Sequence, residues 1–345
     1  MRTLVTGAAG FIGSHVVRAL IEDGHEVRAL HLPSDDLRNL RGVDCERVAG
    51  DVTDEASLEA AMRGRDWVFH LAAVYALWLP DPERMRRVNV EGTRRVLSAA
   101  RRAGVARVIH TSSIARFGGQ GRGRRATEES PFRLGATGDL YSRTKHEAHE
   151  IAREAASEMD VVIVAPTGPI GPGDVGPTPT GKLLIACLSL PVVVVTGTSS
   201  NFADVRDMAR GHVLAARVGR RGESYLLGHR DLSLVSLARM ALAEMGVDRP
   251  IVVAPFSAAR LAARAAVWYA ERVSGRALIT PAAVAIAERD LTADCSKAVR
   301  ELGLPQTPIE TAVRDAAAWF EREGYLKARR RSAPQWARRP AAGSP

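Results

Sequence analysis

Cysteine, aromatic side chains and long apolar runs are all scarce in this chain. The three cysteines, Cys45, Cys187 and Cys295, lie far apart and in no metal-ligand spacing, so neither a disulfide framework nor a metal site is expected, and a reducing cytoplasm is the natural setting. The longest apolar run, Leu183 to Val195, covers 13 residues and is broken by Ser189 and Pro191. That is too short for stable membrane insertion. A strand pattern beginning almost at Met1 leaves no room for a signal peptide. Acidic residues are missing from one stretch: residues 327–345 hold six basic side chains and no acidic one, against a formal net charge of +9 for the whole chain. With its proline and alanine content, that stretch reads as a solvated, disordered tail. Because most of the excess charge sits there, nucleic acid is not an expected partner. The short basic loop Arg122 to Arg125 adds little to that case.

What is present is organised around a glycine loop. Thr3 to Thr6 is a short apolar run of strand character, and Gly7, Gly10 and Gly13 follow at G-x-x-G-x-x-G spacing. From Val16 the apolar period becomes helical. A strand, a tight turn and a helix N-terminus in that order suit a dinucleotide pyrophosphate. Gly7 permits the turn, Gly10 lets backbone approach the phosphates, Gly13 lets helix and strand pack closely, and the N–H groups around Phe11 and Ile12 face the anion.

Further along, predicted strands at 26–31, 46–49, 66–71, 105–111 and 161–165 alternate with helices at 55–62, 82–103 and 139–158. This pattern predicts an α/β fold with a parallel sheet and ligands at the carboxyl ends of its strands. Those ends carry the polar strings. Asp51, with Val52 beside it, is placed on adenine and Asp54 on helix capping. Leu71, Ala72 and Ala73 are small enough for a cofactor to lie along the backbone. After strand two, Ser34, His31 and Arg38 suit a 2′-phosphate whereas Asp35 suits a ribose diol, so the cofactor is NADP or NAD with the balance toward NADP. Residues 166–179 are rich in proline and glycine and read as a pocket rim, with Pro166 on the cofactor and Thr167 on the substrate. Later helices are predicted at 204–218, 232–245, 257–273, 291–302 and 308–323.

Hydride transfer to or from a carbinol carbon needs a proton carrier. Tyr141 and Lys145 are four apart on a predicted helix and so share a face. A lysine ammonium favours the phenolate, and Ser113 at the end of strand five is placed to hydrogen-bond a substrate oxygen.

Taken together, the glycine loop, Gly50-Asp51-Val52, His70-Leu71-Ala72-Ala73, Asn89-Val90-Glu91-Gly92-Thr93, Thr111-Ser112-Ser113 and Tyr141-x-x-x-Lys145 resemble an extended short-chain dehydrogenase/reductase of the NAD-dependent epimerase/dehydratase family. The resemblance runs from Met1 to about Tyr325. Tyr75-Ala76-Leu77-Trp78-x-x-Asp81-Pro82 and Pro166-x-x-Pro169-Ile170-Gly171-Pro172-Gly173-Asp174 are similar to its hopanoid-associated sugar epimerase and dihydroflavonol-4-reductase-like branch. The resemblance implies a Rossmann-type doubly wound parallel sheet with a smaller, mostly helical C-terminal substrate region. The expected division is a dinucleotide-binding domain at 1–165, a substrate region at 166–325 with some segments packing back, and the basic tail at 326–345. It also implies Tyr141 as acid/base, Lys145 as its partner and a cofactor ligand, Ser113 as substrate-oxygen ligand, Asn89 on the proton-relay helix, and Tyr75 and Trp78 beside the substrate. A homodimer is compatible with it. His31-Leu32 departs from the branch, where an arginine is frequent.

Relatives acting on nucleotide sugars carry an arginine and an asparagine after strand six, and Val164 to Pro172 has neither. The apolar stretch Leu183 to Leu190, with Trp78 and Trp268, suggests a ring system or terpenoid instead. The expected function is therefore an NAD(P)-dependent ketoreductase or dehydrogenase acting on an apolar small molecule. The alternative is a sugar or nucleotide-sugar epimerase/dehydratase, and a catalytically silent binding protein is disfavoured because Tyr141 and Lys145 are both present.

Overall fold

The computed structural model describes residues 1–326 apart from 77, 80, 275, 276 and 278. Its first half alternates strand and helix: β1 (Arg2–Thr6), α1 (Phe11–Glu22), β2 (Glu26–His31), β3 (Glu46–Ala49), α2 (Glu55–Met62), β4 (Trp67–His70), α3 (Pro82–Arg86), α4 (Gly92–Arg102), β5 (Arg107–Thr111), α5 (Ile114–Phe117), α6 (Leu140–Ala155) and β6 (Val161–Pro166). The second half holds β7 (Gly168–Ile170), α7 (Pro179–Ser189), β8 (Val193–Thr196), β9 (Ser199–Asp204), α8 (Val205–Val218), β10 (Ser224–Leu227), β11 (Arg230–Ser233), α9 (Leu234–Glu244), β12 (Ile251–Ala254), α10 (Phe256–Tyr269), α11 (Pro281–Ala287), α12 (Ser296–Leu302) and α13 (Ile309–Arg322).

Short Val- and Ile-rich strands that are apolar on both faces suit the middle of a parallel sheet. Seven of them form one, in the order β10-β6-β5-β4-β1-β2-β3, with every neighbour parallel. Helices α1, α8 and α12 cover one face through Val16, Leu20, Met208, Val213 and Leu302. Helices α2, α4 and α6 cover the other through Leu58, Met62, Val96, Leu97 and Ala152. This is the Rossmann-type fold. Chain direction across the sheet reverses between β1 and β4, and in such sheets that crevice holds the ligand. The second half gives α8, β10 and α12 to this sheet. Its remaining elements build a smaller body around α7, α9 and α13 with the three-stranded sheet β11-β9-β7. Among the described residues, no helix is long and apolar enough to cross a membrane. The basic tail, 327–345, lies outside them.

Some predicted elements differ in extent. The helix expected over 82–103 is interrupted by a π turn at Arg87–Glu91, which lets the Asn89 amide satisfy the Val74 backbone. The helix expected over 291–302 begins only at Ser296, because Leu291 and Ala293 bridge to Ser200 and Ala126.

Four histidines, His70 on β4, His110 on β5, His149 on α6 and His212 on α8, are buried. Burial holds His70 and His149 near pKa 3 and His212 near 4, and depresses His110 as well. The folded state therefore keeps these rings neutral at pH values where the unfolded chain, titrating near the ordinary 6.5, is protonated. Stability is present above pH 6.5 and is lost as pH falls from there toward 4. All four act in the same direction, so the loss of stability steepens as pH falls below 6.5. Melting temperature followed from pH 7 to pH 5 is expected to drop steeply, whereas a flat profile would remove the histidines from this role.

Candidate active site

The site grows from strand ends. After β1 the chain turns at Gly7, whose φ of +67° is left-handed, and a Cβ there would stand 2.8 Å from the Ala72 amide nitrogen. At Gly13 a Cβ would come within 2.1 Å of the Gly7 carbonyl oxygen. Backbone alone fits at both places. Gly10 caps α1 without a side-chain hydrogen bond, so the first-turn N–H groups are left for a ligand. An uncapped helix end opening into a cleft fits an anionic group.

The cleft divides into two cavities that share Gly7, Gly10, Phe11, Leu71 and Ala73. The first, about 430 Å³, is walled by His31, Leu32, Asp35, Asp36, Asp51, Val52, Ala72 and Arg84. Asp51 holds Thr53 N through one oxygen at 2.8 Å, while Asp54 caps α2. Two of the three groups considered for a 2′-phosphate are engaged: His31 Nδ1 lies 2.9 Å from the Leu32 carbonyl, and Arg38 is paired with Asp36 at 2.8 Å. Asp35 accepts from Leu32 N at 2.9 Å. Over this cavity lies the segment 172–178. Asn39 donates to the Gly173 carbonyl at 2.8 Å, His15 lies 2.8 Å from the Pro172 carbonyl, and Asp174 accepts from Thr178 N and Oγ1.

The second cavity, about 630 Å³, contains Ile12, Gly13, Tyr75, Ser113, Tyr141, Lys145, Pro166 and Thr167. Its farther wall is apolar, with Leu134, Leu183, Val195, Phe202, Leu237 and Ile286. Asp139 caps α6 by accepting from Ser142 N at 2.6 Å, which sets Tyr141 in the first turn beside the end of β5. The Tyr75 ring packs on the Tyr141 ring at 4.6 Å between centroids. Burial pushes the Tyr141 phenol up to about 12, and the Ser113 hydroxyl beside it draws it back. Burial alone brings Lys145 down to about 8. Its ammonium donates to the Thr111 carbonyl at 2.7 Å.

The arrangement brings Ser113, Tyr141 and Lys145 to one cavity, with the lysine ammonium bonded to the Thr111 carbonyl. Asn89 is buried outside both cavities. Its amide accepts from Val74 N at 2.7 Å and donates to Val74 O and to Thr144 Oγ1, so it fixes the strand end leading to Tyr75 and the helix carrying Tyr141. Thr167 donates its hydroxyl to the Leu227 carbonyl at 3.3 Å. Trp78 lines neither cavity, and Trp268 stands half-exposed on α10. Sequence reasoning missed Arg84, which is one arginine in a run of them, and the wall residues Leu134 and Ile286, which distant chain delivers. No group of acidic, histidine or cysteine side chains among the described residues is arranged to hold a metal.

A family model described as NAD dependent epimerase/dehydratase family matches residues 3–228. A Synechocystis protein named as a dihydroflavonol 4-reductase is 39% identical over 332 residues, covering 94% of this chain and 95% of that one. Sterol demethylase protein B of Methylococcus capsulatus is 33% identical, covering 94% and 100%. Among solved structures, that of gox2253 superposes with a TM-score of 0.83 at 38% identity, over 94% of this chain and 99% of that one.

Proposed function

The chain belongs to the NAD dependent epimerase/dehydratase family and is an oxidoreductase of the extended short-chain dehydrogenase/reductase type, and from that premise we propose that it transfers hydride between a nicotinamide dinucleotide and a ketone or secondary alcohol on a largely apolar small molecule. One observation carries the choice of substrate class. Among the described residues Lys145 is the single cation lining the second cavity, and its ammonium is bonded to the Thr111 carbonyl. A nucleotide diphosphate has no charged ligand there, whereas a flat or polycyclic apolar body is matched by the aliphatic wall. Names of the relatives, a reductase and a sterol-demethylase protein, are in keeping with this.

The glycine loop and the α1 N-terminus would hold the pyrophosphate, with Arg84 at the first cavity's edge, and Asp51 and Val52 would hold adenine. Bound there, the dinucleotide supplies the hydride donor or acceptor. Ser113 is placed to donate a hydrogen bond to the substrate oxygen, and Tyr141 to give that oxygen a proton or take one from it. Lys145 holds the end of β5 through Thr111 and supplies a positive charge in a cavity from which water is largely displaced by substrate. Asn89 acts as a positioning residue.

For the dinucleotide itself, Asp35 puts a carboxylate on the first cavity, and the Arg38 guanidinium is neutralised by Asp36. A 2′-phosphate would meet negative charge, so the sequence-based balance toward NADP is reversed and NAD is the inferred cofactor. The expected ratio of kcat/KM for NADH over NADPH is about tenfold or more, the size of one unfavourable charge contact. A preference for NADPH would contradict it. Substrate class is tested by offering apolar ketones and nucleotide sugars in parallel. Turnover of the former with loss of reduced-nicotinamide absorbance is expected, and action on the latter alone would overturn the reading.

A further inference from the structure

Helix α10 is held to the protein by a single row. Ala259 and Ala263 are buried against Val284 of α11, with Phe256 beside them. Its opposite face is apolar and open to solvent: Leu261 is 71% exposed, Trp268 56% and Tyr269 51%. Positions 261, 265 and 268 fall on one stripe at helical period. The helix contains no acidic residue.

Basic groups border this face. Arg264 has no acidic partner among the described residues, and Arg272 packs its guanidinium over the Trp268 ring at 4.9 Å with the Glu271 carboxylate 4.0 Å away. Arg260 is paired with Glu288. Water-exposed Leu and Trp on an otherwise ordinary surface mark a binding face. A rim of arginines and an amphipathic aromatic fit the interfacial region of an anionic bilayer. At 14 residues the helix is too short to cross one.

Helix α10 adjoins elements that line the second cavity and adds no lining residue of its own among the described residues. Strand β12 runs directly into α10 and pairs with β8, where Val194, opposite Val252, lines the cavity. Helix α11, packed under α10, contributes Ala283 and Ile286 to the same wall. We infer that the outward face of α10, edged by Arg264 and Arg272, docks the enzyme on an anionic phospholipid surface. This docking does not rest on the apolar-substrate reading above.

The test is co-sedimentation of the full chain with vesicles of phosphatidylcholine containing phosphatidylglycerol, without substrate. Binding is expected, weakened by salt and by omission of phosphatidylglycerol. Leu261→Asp and Arg264→Glu are each expected to weaken it about tenfold or more, with melting temperature and turnover of a water-soluble ketone unchanged. In a chain carrying Arg329→Ser, Arg330→Ser and Arg331→Ser, the Leu261→Asp effect is expected to persist, because the apolar contact belongs to α10. Absence of vesicle binding would overturn the inference. So would binding that the tail substitutions abolish and Leu261→Asp leaves intact, or a Leu261→Asp effect on oligomeric state alone. Vesicle binding and substrate turnover are read in separate assays, so failure of this inference is distinguishable from failure of the reductase reading.

Discussion

Replacing Tyr141 by phenylalanine is expected to lower kcat by about 10²–10⁴, the range a positioned general acid/base contributes, while cofactor affinity stays close to that of the wild type. The substitution removes one hydroxyl and keeps the ring, so the packing on Tyr75 and the first turn of α6 are preserved. What disappears is the group that sits beside Ser113 and can pass a proton to the substrate oxygen. Burial pushes the phenol up to about 12, so the hydroxyl carries its proton in the free protein. Steady-state kinetics together with fluorescence titration of the cofactor separates the two effects. A Tyr141→Phe enzyme retaining a substantial part of wild-type kcat would remove Tyr141 from the chemistry.

Gly13→Ala is expected to weaken cofactor binding by about tenfold to a hundredfold, matching the roughly 1–3 kcal/mol of an overpacked site. The added Cβ would meet the Gly7 carbonyl oxygen at 2.1 Å, the Gly7 carbonyl carbon at 2.9 Å and Ala8 Cα at 3.2 Å. All three are backbone, so no side chain can turn aside. Either the glycine turn or the start of α1 must move, and both displace the N–H groups meant for the pyrophosphate. Calorimetric titration of the variant against wild type measures the loss directly, and equal affinities would show that the loop does not hold the phosphates.

These two residues illustrate what was legible in the sequence. The β1–turn–α1 unit is local, and its glycine spacing encodes contacts between atoms close along the chain. Asp54 as a cap and Tyr141 with Lys145 on one helix follow from the same short-range logic. Asn89 was legible as a position but not as a device, because the π turn that aims its amide at Val74 has no signature in the run Arg87 to Glu91. The apolar wall was only half legible. Leu183 is in a visibly apolar stretch, but Leu134 and Ile286 reach the cavity from segments about 150 residues apart, and nothing in their neighbourhoods announces it. Trp268 shows the converse failure, since an aromatic at helical period reads as lining a pocket whether the helix faces inward or, as α10 does, outward. The pairing of Arg38 with Asp36 was equally hidden, and it removes a cation that the sequence offered to a phosphate.

The central claim is a net redox reaction in the cavity around Tyr141, Ser113 and Lys145. Stoichiometry tests it most directly: purified enzyme, a limiting amount of an apolar ketone and excess NADH, with nicotinamide absorbance and product measured in one sample. The expected result is one reduced cofactor consumed for each alcohol formed. Interconversion of a sugar nucleotide with no net change in the absorbance of added cofactor would contradict it, because an epimerase returns the hydride it takes.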